Sequence, residues 1–196
     1  MQTSRLELVR LSSGHLEGFH AIWSNPHAAR WSSRGPCKTI EDSREWMSAL
    51  LVENSPMAEK YAIFLRSDLP ASELEEIQRD APDDSPLRTC GMIGSMGSWS
   101  ADPVPELGYI FHQSAWGRGF ATEALSAFLQ VFWANKPQFD TLEAYSDPEN
   151  MGSVKVLVKC GFIEVERQSG NYELPWMTPP KRDLIRFRVT RKQPPN

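Results

Sequence analysis

The sequence is poor in cysteine and histidine, carries no surplus of positive charge and contains no long apolar run. Its three cysteines, Cys37, Cys90 and Cys160, stand far apart with no C-x-x-C pair, which argues against a disulfide framework or a zinc knuckle and leaves reduced, structural thiols. The four histidines, His15, His20, His27 and His112, include no H-E-x-x-H spacing, so no metal is assigned. Lys plus Arg number 21 against 25 Asp plus Glu, and the net charge of −4 offers no chain-wide attraction to phosphate backbones or anionic lipid. Neither a nucleic acid nor a membrane is expected as a partner. No segment approaches the roughly 20 apolar residues that span a bilayer, and Met1 to Arg5 leads into an alternating segment with no signal-peptide core, so a cytoplasmic protein is expected. What is present is a hydrophobic fraction of 40% with 23% charged residues, the balance of one globular domain over residues 1–196.

Periodicity divides the chain into alternating elements of an α/β or α+β domain. Arg5 to Arg10 alternates as a half-buried strand, a helical stretch follows from Ser13 to Trp23, and Asn25-Pro26 breaks it. Thr39 stands three residues before Asp42, a variant of the capping box, ahead of Trp46, Leu50 and Leu51 at helical spacing, which predicts a helix from Thr39 to about Glu53. Tyr61 to Leu65 and Cys90 to Gly94 read as paired strands. The acidic, proline-bearing stretch 67–88 between them reads as a flexible, solvated loop with at most a turn of helix at Ser72 to Gln78. A strand at Glu106 to Phe111 precedes the clearest helix, where Ala121, Ala124, Leu125, Phe128, Leu129 and Phe132 make one apolar stripe. Then come a strand at Thr141 to Tyr145, a helix from Asn150 to Lys159 closed by Gly161, and strands at Phe162 to Glu166 and Leu184 to Thr190. The proline-rich tail 192–196 is expected to be loose.

Chemistry concentrates between the strand at Glu106 to Phe111 and the helix after it, in Trp116-Gly117-Arg118-Gly119-Phe120-Ala121-Thr122-Glu123-Ala124. Glycines at i and i+2 let the backbone bend sharply, and the N–H groups that follow leave a helix N-terminus with its partial positive charge, an arrangement suited to a pyrophosphate. A tight structural turn and a dinucleotide-binding Rossmann site are the other readings of the same residues. The Rossmann pattern wants a third glycine where Thr122 stands, and wants the site after the first strand, whereas this one follows about four.

At these residues the sequence resembles the GNAT superfamily of acetyl-CoA-dependent N-acetyltransferases, and within it the branch of ribosomal-protein N-terminal acetyltransferases of the RimJ/RimL type. The resemblance runs from Thr3-Ser4-Arg5-Leu6-Glu7-Leu8 through Glu106-Leu107-Gly108-Tyr109 and the glycine turn to Asn150-Met151-Gly152-Ser153 and Lys159-Cys160-Gly161-Phe162. The family pattern Q/R-x-x-G-x-G/A falls on Trp116 to Ala121, with Gly119 and Ala121 matching and Trp116 in place of the polar first residue, which removes one polar contact. The resemblance implies a mixed, mostly antiparallel sheet of about six to seven strands, flanked by helices and splayed between strands 4 and 5. It implies coenzyme A held by Trp116, Gly117, Arg118, Gly119, Phe120, Ala121 and Thr122, by the gap-facing backbone of Tyr109, Ile110 and Phe111, and by Asn150 and Ser153. Acetyl-CoA is then a cosubstrate and the partner an amine acceptor, a small molecule or a protein N-terminus.

Acyl transfer to an amine needs the nucleophile uncharged and the oxyanion stabilised by donors such as a strand N–H. By position, Glu106 is the carboxylate that receives the amine proton, with His112 and Glu143 as weaker candidates. Ser153 or Tyr145 is the acid that meets the departing thiolate. Asn150 is equally a good helix N-cap, and Arg118 equally a solvated turn arginine. Trp31, Arg34, Tyr172 and Trp176, in segments 27–36 and 171–181, are expected on the acceptor side. No G-x-S-x-G elbow occurs and Cys160 sits at an apolar helix end, which argues against a covalent acyl-enzyme. A module that binds coenzyme A without turnover is the alternative, and the chain is expected as a monomer or homodimer.

Overall fold

The computed structural model describes residues 1–51, 53–54, 58–89, 91–99 and 103–191. Seven strands form one sheet: β1 Leu6–Arg10, β2 Glu59–Leu65, β3 Met92–Trp99, β4 Glu106–Phe111, β5 Thr141–Ser146, β6 Ile163–Glu173 and β7 Lys181–Thr190. Their order is β1-β2-β3-β4-β5-β7-β6, every pair antiparallel except β4–β5. This is the mixed, mostly antiparallel sheet that the resemblance implies, open at both edges, and its central antiparallel strands exclude the Rossmann alternative.

Helices α1 (Leu16–Trp23) and α2 (Ile40–Leu50) cover one face, and α4 (Phe120–Asn135) and α5 (Met151–Lys159) the other. Leu16, Phe19, Ile22 and Trp23 recur at helical spacing and are buried with Met47 of α2. Thr39 caps α2 by accepting from the Asp42 N–H at 3.1 Å, while the Asp42 carboxylate accepts from the N–H groups of Lys38 and Thr39, the capping box expected from the spacing. The α4 stripe packs Ala124, Leu125, Phe128 and Phe132 against β-strand residues Leu6, Ile63, Leu107 and Leu142. Strand alternation assigns the faces: Leu107 and Phe111 of β4 and Leu142 and Ala144 of β5 enter the α4/α5 core, so Glu106, Gly108, Glu143 and Tyr145 face the other way.

Two expectations need correction. Stretch 67–88 is not a solvated loop throughout: α3 (Ala71–Gln78) makes two turns, and Ile77, Ala81 and Leu87 are buried in the α4-side core. Its acidic residues read as loop because only a few widely spaced apolar side chains anchor it. Strands β3 and β6 extend well beyond Gly94 and Glu166, since Gly97 and the mostly exposed side chains of β6 give little apolar alternation to read. Cys90 and the tail 192–196 lie outside the described residues. Among those described, no helix is long and apolar enough to cross a membrane.

Candidate active site

Gly117 and Gly119 both take left-handed φ angles, 74° and 80°, which a side chain would strain. Gly119 is the N-cap of α4, and no side chain caps the helix. A Cβ at Gly117 would meet nothing within 4 Å, and one at Gly119 only the Arg5 Nη2 at 3.4 Å. The first-turn N–H groups of α4 thus have no side-chain cap and carry a partial positive charge. Arg5, just before β1, secures this turn: Nη1 donates to the Arg118 carbonyl at 3.0 Å, the guanidinium pairs with Glu123 at 2.8 Å, and it lies 4.6 Å from the Phe120 ring centroid. Glu123 also accepts from Thr3 and Ser4 hydroxyls and the Arg5 N–H, which hold its carboxyl below the usual range against the opposing effect of burial. The Arg118 Nε donates to the Ser114 carbonyl at 3.1 Å.

Strands β4 and β5 pair only at Glu106–Glu143 and Leu107–Ala144, whereas β4 stays paired with β3 as far as Phe111–Gly94. Beyond Leu107 the parallel pair splays. The His112 N–H donates to the Ile93 carbonyl, so by antiparallel alternation Ile110 and Gly108 bond to β3 while Tyr109 and Phe111 turn N–H and C=O towards the gap. One of these groups is taken: the Trp116 indole N–H donates to the Phe111 carbonyl at 2.9 Å. Trp116 thus keeps a polar contact of its own, inside the chain, and ties the glycine turn to the splayed strand. The gap's far wall is the start of α5. Asn150 Oδ1 accepts from the Ser153 N–H at 3.2 Å, the N-cap bond. The Ser153 hydroxyl lies 2.9 Å from the Tyr109 hydroxyl, whose proton burial holds strongly in place.

The opposite face of the sheet carries a second cluster. Glu106, half-buried, lies opposite Trp99 on the neighbouring strand; burial and the nearby Glu143 raise its carboxyl above the ordinary value, with burial the larger cause and Trp99 and Lys60 opposing. Lys60 is 7% exposed, its Nζ 3.9 Å from the Trp99 ring centroid, and burial pulls its amine down to about 7. Tyr145 donates to Glu143 at 3.3 Å and is raised by burial and by that carboxylate. Glu143 itself is held by Arg188 at 2.6 Å and Arg186 at 3.6 Å. Segments 27–36 and 171–181 meet beside this cluster: the Trp176 indole donates to the Arg30 carbonyl at 2.9 Å, Arg182 lies over Trp31 at 5.6 Å, and the Tyr172 hydroxyl, its proton held chiefly by burial, lies close enough to Glu106 to feel its charge.

A family model for the acetyltransferase (GNAT) domain matches residues 5–163, from β1 to the start of β6. The chain belongs to the GNAT acetyltransferase family. Among curated proteins it is 22% identical to the uncharacterized N-acetyltransferase p20 of Bacillus licheniformis over 165 residues, 83% of this chain and 81% of that one. It is 41% identical to the uncharacterized protein YkkB of Bacillus subtilis (strain 168) over 76 residues, 39% of this chain and 42% of YkkB, so that match spans less than half of either. Among solved structures, a GNAT-family acetyltransferase from Bacillus anthracis superposes with a TM-score of 0.73 at 16% identity, covering 97% of both chains. The spermidine N-acetyltransferase of Vibrio cholerae, solved with CoA and spermine, gives 0.71 at 15% identity, covering 96% of both. At these identities the superpositions establish the shared GNAT fold.

Within that fold the sequence-derived residues separate into two groups. Tyr109, Phe111, Trp116 to Thr122, Asn150 and Ser153 lie along the gap and the turn below it, while Glu106, Tyr145 and Glu143 share the other sheet face; Ile110, expected with its backbone to the gap, instead bonds to β3 and buries its side chain in the α1/α2 core. His112 instead caps the short turn 113–115, its Nδ1 accepting from the Ser114 N–H, and Glu143 is occupied by two arginines. Three contributors escaped sequence reading. Arg5 and Lys60 lie in ordinary alternating strands and meet their partners only through the sheet, and the Tyr109 hydroxyl reaches Ser153 across 44 residues.

Proposed function

We propose that this GNAT chain transfers the acetyl group of acetyl-CoA to a primary amine by direct attack in a ternary complex, as a member of the RimJ/RimL-like branch. The observation that carries the reading is the interrupted β4–β5 pairing directly preceding an uncapped, side-chain-free helix start: an extended amide-bearing arm fits the first, a pyrophosphate the second. The residues present suit coenzyme A. The backbone of Tyr109 faces the gap, Gly117 and Gly119 leave room at the turn, and Arg5 and Arg118 add positive charge beside it.

In this reading the acceptor ammonium approaches Glu106, whose partial burial raises its affinity for a proton. Once the amine is neutral, its nitrogen forms a bond to the thioester carbonyl carbon, and a gap-facing N–H of β4 stabilises the oxyanion. The carbon–sulfur bond then breaks, the nitrogen gives up its remaining excess proton, and that proton reaches the departing thiolate through the Ser153 hydroxyl, which is thereby restored and which the Tyr109 hydroxyl backs at 2.9 Å. Tyr145 is the second candidate for that proton, on the Glu106 side of the sheet. Amine-dependent release of free CoA thiol tests the proposal: Glu106→Gln and Ser153→Ala are each expected to lower kcat by about 10²-fold with little change in the KM for acetyl-CoA. Thiol release that ignores the amine, or full turnover in both variants, would contradict it.

A further inference from the structure

Lys60, Gly97 and Gly108 sit opposite one another on three adjacent strands, a row that runs across the sheet and ends where β4 parts from β5. Neither glycine position is empty space. A Cβ on Gly97 would lie 2.5 Å from Lys60 Cδ, and one on Gly108 would lie 2.6 Å from the Trp99 ring. The Lys60 stem therefore lies along the lane left by Gly97, the Trp99 indole along the lane left by Gly108, and Nζ rests on the indole face at 3.9 Å. Glu106 is the cross-strand partner of Trp99, on the same face of the sheet. An aromatic face with a carboxylate at its edge is a binding site for an ammonium ion, and here the chain's own lysine fills it. Around it, Arg186 and Arg188 bring further positive charge to the same face.

Resting on the transferase reading above, we propose that Lys60 is a specificity-determining residue of the acceptor side: it occupies the Trp99–Glu106 position that a second ammonium of a di- or polyamine would use. The acceptor class is then amines whose remaining groups are neutral or anionic. Occupancy by the methylene stem and Nζ excludes a competing ammonium sterically. Lysine replaced by an apolar side chain of similar length keeps the lane filled but vacates the ring face.

The matched probes are butylamine and 1,4-diaminobutane, which differ by one ammonium. Titrating each into the CoA-loaded protein while following the Trp99 indole N–H resonance reads binding without requiring turnover. The wild-type chain is expected to bind diaminobutane no better than butylamine, and Lys60→Met to improve diaminobutane relative to butylamine by about tenfold, the scale of one cation–π contact beside a carboxylate. Lys60→Gln serves as the second variant and is expected to move the ratio the same way. A preference for diaminobutane already present in the wild-type chain, or a ratio unchanged in both variants, overturns the proposal. So does the absence of any response from Trp99 in all three proteins, because the acceptor is then not held there. Thermal stabilisation by acetyl-CoA, measured on the same samples, reports separately on the transferase reading.

Discussion

Glu106 and Lys60 face each other on one side of the sheet with their ionisation moved in opposite directions, the carboxyl up and the amine down, both chiefly through burial. If Glu106 is the base, kcat/KM falls as pH drops through a carboxyl value above the ordinary range, and Glu106→Gln removes that acid limb. Lys60 has a consequence for stability as well. Its amine drops from an ordinary 10.5 to about 7, so between those values the unfolded chain binds a proton that the folded chain does not. Stability from this group therefore rises as pH increases from about 7 towards 10.5, and its cost is fully present below that window. Urea unfolding at several pH values from about 7 upwards should show this slope in the wild-type chain and its loss in Lys60→Met, with the variant gaining relative stability at the low end of that window. An unchanged slope would mean that Lys60 stays protonated throughout.

The β4–β5 pair is the element on which the site depends, because its ladder stops at Leu107–Ala144 while β3–β4 continues. Amide exchange should resolve this strand residue by residue. Ile110, bonded to β3, is expected to exchange slowly, and Tyr109, turned to the gap, faster, with acetyl-CoA slowing Tyr109 selectively. Equal protection of both without ligand would mean that the gap is closed. Much of the element pattern was legible beforehand: the Thr39–Asp42 capping box, the α4 stripe and the Gly117–Gly119 turn all act through neighbours within a few residues, where sequence spacing is geometry. The α3 helix reads from sequence as no more than one turn at Ser72 to Gln78 within a solvated loop, because Ile77 is its one buried side chain and the rest of its cover comes from residues elsewhere in the chain. The Trp116 indole bond to Phe111 and the Lys60–Trp99–Glu106 row were equally out of reach, since both depend on side chains crossing strands or turns.

Across the whole molecule, the two helical layers divide the work of the sheet. The α4/α5 face carries the glycine turn, Ser153 and Tyr109, braced from the N-terminal strand by the Arg5–Glu123 pair. The other face carries Glu106, Trp99 and Lys60, walled by segments 27–36 and 171–181. The β4–β5 gap is the place where the two faces communicate, and the account stands or falls on what enters it. The most direct test is thermal unfolding with acetyl-CoA, coenzyme A and NAD side by side, for the wild-type chain and Gly119→Val. A ligand at 100 times its dissociation constant adds about 2.7 kcal/mol to the native state. For a domain of this size that raises Tm by roughly 5 to 10 °C. The account predicts that shift for acetyl-CoA and coenzyme A but not NAD, and its loss in Gly119→Val, whose side chain must adopt the left-handed turn at φ 80°. No shift with either CoA species, or an equal shift in the variant, would contradict it.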